Sequence, residues 1–116
     1  MYYHVWFVTK YRIPVLEGRI EKTIKDILAE CIKRHDYTVL ELETNKDHIH
    51  LLAEAKDRRE LSKIVQTLKA VSAKEILRTP HFRVGNFRHF WARRYGYEQI
   101  SDVRINAIRD YVRNQK

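Results

Sequence analysis

Residues 45–55 read NKDHIHLLAEA and contain the strand that decides the fold. Side chains alternate across a β-strand, so residues two positions apart share a face. His48 and His50 therefore project from one face together with Leu52, while the opposite face is entirely aliphatic. The aliphatic face is predicted to pack against helices, which makes the histidine face the open side of a sheet.

The segments around this strand extend it into a sheet. Residues 37–44, YTVLELET, alternate Leu with Glu and are joined to the histidine strand by a short turn, which predicts a β-hairpin. Residues 2–9, YYHVWFVT, are largely apolar on both faces, as is typical of a central strand. Residues 87–93, FRHFWAR, are predicted to form a fourth strand.

Helical patterns lie between and after these strands. Apolar residues recur at helical spacing over residues 17–34. Asp57 and Glu60 have the spacing of a capping box, and the helix that they open should end before Pro80. Ser101 is predicted to cap a last helix.

The resulting order is β-α-β-β-α-β followed by a helix. This order predicts a single α+β domain over residues 1–116 with the ferredoxin-like plan, in which helices cover one face of an antiparallel sheet. The last helix carries Tyr111 and stands outside that plan.

The charge of the chain favours a polyanionic partner. Its 23 Lys and Arg residues outnumber 15 Asp and Glu residues, which leaves a net charge of +8. Basic residues displace the counterions that condense on nucleic acid, although a charge of this size also serves solubility alone. Cys31 is the single cysteine, so no internal disulfide is possible. No apolar run approaches a membrane span and the first residues lack a signal-peptide pattern, so we expect a cytoplasmic protein.

The two histidines suggest a metal site. Adjacent imidazoles on one strand face can bind a single cation from neighbouring positions. Two other interpretations are open. Both rings could be surface residues on a solvated face, or they could belong to a nucleotide-hydrolase triad, which Leu52 makes less natural because it occupies the place of the third histidine.

The C-terminal helix suggests the reacting group. Tyr111 and Gln115 lie one helical turn apart on one face. If this helix lay across the histidine face, Gln115 could offer an amide oxygen to the metal and Tyr111 could reach a metal-bound phosphate. Periodicity alone equally fits a tyrosine in the core or at an interface. A phosphotyrosyl intermediate would conserve the energy of the broken phosphodiester.

Together these segments resemble the IS200/IS605-type single-tyrosine transposases, which belong to the HUH group of single-strand DNA nucleases. The likeness runs nearly end to end through YYHVWFVTKYRIPVL, KDHIHLL, IVQTLKAVSAKEI, FWARRYGY and IRDYVRNQ. In the first segment, seven residues match the family's opening: Tyr3, His4, Val8, Thr9, Lys10, Tyr11 and Arg12.

The resemblance implies Tyr111 as the nucleophile and His48, His50 and Gln115 as ligands of Mg²⁺ or Mn²⁺. It also implies a homodimer with shared active sites that acts on single-stranded DNA bearing a hairpin at each transposon end. Cleavage would leave a 5′-phosphotyrosine. As a group, the expected DNA contacts are Lys10, Arg12, Lys69, Lys74, Arg93 and Arg94.

Two alternatives belong to other functional classes. The first is a non-catalytic, domesticated nucleic-acid-binding protein of the same fold, although the sequence lacks the aromatic run of RNA-binding domains. The second is a small metal-dependent phosphohydrolase acting on nucleotides, for which the excess of basic residues has no obvious use.

Overall fold

The computed structural model describes residues 1–79 and 89–114. They form four strands and three α-helices: β1 (Tyr2–Val8), α1 (Gly18–Arg34), β2 (Thr38–Thr44), β3 (His48–Glu54), α2 (Arg58–Leu77), β4 (Gly96–Ile100) and α3 (Ile105–Arg113). Short 3₁₀ segments follow β1, at Lys10–Arg12, and precede α3, at Asp102–Arg104.

The four strands form one antiparallel sheet in the order β2-β3-β1-β4. The histidine strand β3 and the apolar strand β1 are therefore its two central strands. The predicted β2–β3 hairpin is present and is closed by the amide of Asn45, which donates to the carbonyl of His48 at 2.8 Å. The predicted α+β, ferredoxin-like architecture is confirmed.

The core lies between one face of the sheet and helices α1 and α2. On β1, Tyr3, Val5 and Phe7 are buried, and on β3 so are Ile49 and Leu51, as the alternation of β3 predicts. Fully burying a side chain of this size contributes about 1.5–3 kcal/mol. Packing of this face therefore fixes which residues of β1 and β3 remain on the other face, where the histidines are.

The two predicted caps have different outcomes. Asp57 accepts a hydrogen bond from the amide of Glu60 at 2.9 Å, so the cap of α2 is confirmed, and the helix ends at Leu77, before Pro80. The side chain of Ser101 makes no capping hydrogen bond, so that prediction is wrong. Its carbonyl instead accepts from the amide of Arg104 at 3.0 Å, because a 3₁₀ turn comes before α3.

The prediction of a fourth strand over residues 87–93 is also wrong where the structure describes it. Trp91 makes only an isolated bridge with Thr9, and β4 lies further along the chain. Phe90 and Trp91 are buried as aromatic anchors, and the Trp91 indole donates to Ser72 of α2 at 2.8 Å. Burial rather than strand pairing therefore accounts for Phe90 and Trp91. Residues 80–88 lie outside the described part of the chain.

Across residues 1–79 and 89–114, no helix combines the length and apolar character needed to cross a membrane.

Candidate active site

Helix α3 lies on the histidine face of the sheet, against β2 and β3. Its Val112 is completely buried, as is Leu52 on the same face of β3 as the histidines. Glu41 of β2 holds the helix by charge: its carboxylate accepts from Nε of Arg113 at 2.9 Å and lies 3.5 Å from Nε of Arg109. The face expected to be open is therefore partly covered by the helix that carries the candidate nucleophile.

Tyr111 lies beside His4 of its own chain. Its ring meets that of His4 edge-on, with the ring centroids 6.0 Å apart, and 52% of its surface is exposed. Tyr111 and His50 line the same cavity of about 380 Å³, together with residues of β1 and β4. The structure thus brings together the tyrosine and one of the two histidines that the sequence singles out.

His48 and His50 are neighbours whose ring centroids lie 4.7 Å apart. Nδ1 of His48 is 2.7 Å from a carboxylate oxygen of Asp47, and Nδ1 of His50 is 3.0 Å from Nε2 of His4. Because Nδ1 is the engaged nitrogen in both rings, Nε2 is the nitrogen that can bind a metal. Hydrogen bonds of this kind fix the tautomer and orientation of metal-binding histidines.

The surroundings of His50 favour the neutral form of its imidazole. Burial, together with the nearby His48 and His4, lowers the pKa of His50 to about 4. Burial also lowers the pKa of His4, against an opposing effect of Glu98. Hydrogen bonds from His48 and Arg12 lower the pKa of Asp47. His50 is therefore uncharged at neutral pH, which is the form that binds metals.

These residues fit a divalent cation as two of its ligands. Two imidazoles leave coordination positions for oxygen ligands, phosphate or water. Among the described residues, no three His, Cys, Asp or Glu side chains converge as a metal-binding group. Gln115, the expected third ligand, lies outside the described residues.

Three expected DNA contacts, Lys74, Arg93 and Arg94, are exposed at the surface. Lys10 lies beside Tyr11, with its ammonium 5.2 Å from the ring centroid. Arg12 donates to Asp47 at 3.1 Å, so it is linked to the histidine site rather than free.

Lys69 is placed differently from the other expected contacts. Its ammonium donates to the carbonyls of Ala92 at 2.7 Å and Arg93 at 3.2 Å, and burial lowers its pKa. The side chain therefore holds the segment that leads into β4.

Sequence reasoning gave no role to His4, Asp47 or Glu41 in the site. His4 could have been found from alternation, since it shares a face of β1 with Trp6, which pairs with His50. Asp47 directly precedes His48 and is within reach of its ring for that reason. Nothing local in the sequence marks Glu41 as the anchor of α3.

The described residues thus form an antiparallel sheet with two histidines on a central strand and the helix that carries Tyr111 packed on the same face. The chain belongs to the family of IS200-like transposases, whose model matches residues 1–115.

Relatives with assigned names point to the same family. The chain is 34% identical over 74 residues to the ISDra2 transposase TnpA of Deinococcus radiodurans, a match that covers 64% of this chain and 53% of that protein. It is 30% identical over 116 residues to the transposase for insertion sequence element IS200 of Salmonella typhimurium, covering 97% of this chain and 75% of the relative. The first match therefore spans about half of the relative's length.

Two solved structures resemble the whole described fold. A crystal structure described as a transposase from Deinococcus radiodurans R1 has a TM-score of 0.76 at 28% identity, covering 99% of this chain and 90% of the other. The REP-associated tyrosine transposase bound to a REP hairpin has a TM-score of 0.71 at 10% identity, covering 96% and 63%. At that identity the second likeness shows the fold alone.

Proposed function

We propose that this transposase cleaves and rejoins single-stranded DNA through a covalent 5′-phosphotyrosine at Tyr111, with the help of Mg²⁺ or Mn²⁺. The observation that carries the proposal is the position of Tyr111, whose ring lies against His4 and shares a cavity with His50. A tyrosine required only for packing would not need to sit half-exposed beside imidazoles.

In the proposed step, the phenolic oxygen of Tyr111 attacks the scissile phosphorus. The phenol gives up its proton to water, and a new P–O bond to Tyr111 forms as the bond to the 3′ oxygen breaks. That oxygen takes up a proton from water and leaves as a 3′-OH. The free 3′-OH can later attack the phosphotyrosine of another end, so rejoining needs no outside energy source. A divalent cation bound at this site would neutralise part of the negative charge that develops on the phosphate.

His48 and His50 would hold that cation through Nε2, and we propose Gln115 as a third ligand because it lies one helical turn beyond Tyr111. Asp47 and His4 then act on the cation only through the two histidines.

We also propose that two copies assemble as a homodimer and exchange their α3 helices. Within one chain, α3 is short and Val112 is its fully buried residue, so few apolar contacts oppose such an exchange. The same Glu41 ion pairs can form with the helix of either copy.

We propose a hairpin at each transposon end as the DNA partner. The net charge of +8 supplies the attraction, and exposed Lys74, Arg93 and Arg94 are suited to phosphate contacts. Lys10 and Arg12 flank Tyr11, which is 81% exposed, so this turn offers both charge and a ring for stacking.

The test is incubation with Mn²⁺ and single-stranded DNA from the flanks of the gene, folded into its hairpin, followed by denaturing electrophoresis. Wild-type protein should form an SDS-resistant adduct that Tyr111→Phe abolishes and that His48→Ala or His50→Ala severely weakens. Tyr37→Phe is the matched control, since Tyr37 stacks on His35 away from the site.

An adduct that persists in Tyr111→Phe would exclude the proposed nucleophile. Hairpin binding by wild type with no adduct would instead indicate the second candidate, a non-catalytic nucleic-acid-binding protein.

A further inference from the structure

The cavity beside Tyr111 contains more than the reaction requires. Besides His4, His50 and Tyr111, it is lined by Trp6 of β1, Glu98 of β4 and Ile108 of α3. Its volume of about 380 Å³ is that of a small-ligand pocket. We propose that this cavity holds the nucleobase adjoining the scissile phosphate, stacked on Trp6, an inference that rests on the proposed function.

Trp6 is fixed in a position suited to stacking. Its indole lies directly over Gly96 of β4, so closely that a Cβ atom at Gly96 would overlap the ring. The imidazole of His4 packs against it with the ring centroids 5.1 Å apart. The indole is therefore supported by β4 and β1 while it lines the cavity. An ordered aromatic surface binds any base through its π-face.

The charge of the cavity favours a base over a phosphate. Glu98 contributes a carboxylate to the cavity lining. One of its oxygens lies 3.8 Å from a guanidinium nitrogen of Arg104, and both side chains of this ion pair are about half exposed. A phosphate inside the cavity would be repelled by this carboxylate, whereas an uncharged base would not. The phosphate is better placed toward the histidines, with its base directed toward Trp6.

Tyr111 borders the cavity together with Trp6 and with His50, the proposed metal ligand. A nucleotide joined to the Tyr111 oxygen would have its base within the same cavity. The expected occupant is therefore the first nucleotide on the 3′ side of the cut, which stays attached to the protein.

Photocrosslinking tests this inference without requiring chemistry. Hairpin-bearing single-stranded DNA with 5-iododeoxyuridine at one position at a time is bound to Tyr111→Phe protein, irradiated, digested and analysed by mass spectrometry. One position should crosslink to Trp6. Crosslinks confined to other aromatic residues at every position would overturn the inference.

Binding measurements supply the second test, again in the Tyr111→Phe background. Trp6→Leu should weaken DNA binding by about 5- to 150-fold, the range expected for one stacked base, and Trp6→Phe should restore most of it. Tyr37→Leu is the matched control and should bind normally. An abasic nucleotide at the crosslinking position should weaken binding to unmodified Trp6 protein by a similar factor, and this measurement does not depend on the folding of any Trp6 variant.

The two proposals fail in different ways. Equal binding of intact and abasic DNA, together with adduct formation by wild type, would overturn the stacking site and leave the tyrosine chemistry intact. Absence of an adduct, together with a Trp6 crosslink, would overturn the tyrosine chemistry and support a base-binding cavity.

Discussion

Nε2 of His4 and Nδ1 of His50 lie 3.0 Å apart, although the two residues are 46 positions apart in the sequence. The contact follows from the pairing of β1 with β3, in which Trp6 is opposite His50 and His4 is opposite Leu52. It gives His50 a fixed orientation before any metal arrives. His4 is thus a positioning residue for the proposed ligand.

His4→Ala should weaken Mn²⁺ binding by about 10- to 100-fold, the usual effect of removing the hydrogen-bond partner of a metal-binding histidine. The measurement is Mn²⁺ titration followed by electron paramagnetic resonance, without DNA. His35→Ala is the control, because His35 lies beside Cys31, away from the site. Unchanged affinity in His4→Ala would show that the contact does not orient His50.

Glu41→Gln should loosen α3 from the sheet, because it removes the ion pairs to Arg109 and Arg113. Hydrogen exchange of the α3 amides should become faster, and the yield of Tyr111 adduct should fall. Glu30→Gln makes the same change in charge at an ion pair within α1 and should have neither effect. Equal exchange in both variants would contradict the anchoring role.

Because Glu41 is titratable, the docking of α3 on the sheet should also depend on pH. Hydrogen bonding to Arg113 lowers the pKa of Glu41 in the folded protein from its ordinary 4.5. The stabilisation is therefore complete above about pH 4.5 and is lost as the pH falls through the lowered value. Exchange of the α3 amides, corrected for intrinsic rates, should accelerate in that window in wild type and much less in Glu41→Gln.

Gly96→Ala should destabilise the protein by about 1–3 kcal/mol, because the new methyl group would have to displace the Trp6 indole. Urea denaturation measures the loss. In the double variant with Trp6→Leu, the loss of stability caused by Gly96→Ala should be smaller, because the effects of substitutions at contacting residues on stability do not simply add. If the losses of unfolding free energy in the two single variants simply added in the double variant, the cost of Gly96→Ala would not come from displacing the Trp6 indole.

Lys69→Met should lower stability by about 1–2 kcal/mol through loss of its hydrogen bonds to the carbonyls of Ala92 and Arg93. Lys74→Met removes the same charge from an exposed position of α2 and should leave stability unchanged. Thermal denaturation of both variants compares the two directly. Equal melting temperatures would mean that Lys69 contributes no more to stability than the exposed Lys74.

Mixing Tyr111→Phe with His50→Ala should restore adduct formation if copies exchange α3, since the mixed dimer then contains one intact site. Denaturing electrophoresis of the mixture against each variant alone is the measurement. No recovery, in a mixture shown to form dimers, would mean that each site is built from one chain, as the single-chain geometry allows.

Local rules were sufficient for part of this structure. Alternation placed His48 and His50 on one face, and the spacing of Asp57 and Glu60 located the start of α2. These features depend on residues close in sequence. The resemblance to a family supplied the role of Tyr111, which helical periodicity left open.

Features that depend on contacts between residues far apart in the sequence could not be predicted from local patterns. Residues 87–93 have the composition of a strand, yet Trp91 is held by Ser72 of α2. Val103 is apolar yet 93% exposed, and it lies in the 3₁₀ segment before α3 begins. The docking of α3 depends on Glu41, whose partners come from the other end of the chain.

Only Ser101 to Arg104 connect the end of β4 to the start of α3. Fully stretched, the five steps from Ile100 to Ile105 span roughly 17 Å. This short tether limits how far the start of α3 can move from the end of β4, and Tyr111 lies only six residues, roughly 9 Å, further along the helix. A second copy can therefore receive the tyrosine only if its own histidines lie within the combined reach of the tether and the helix. Inserting a few glycines between β4 and α3 would lengthen the tether, and Tyr111 could then reach the histidines of a copy that lies further away.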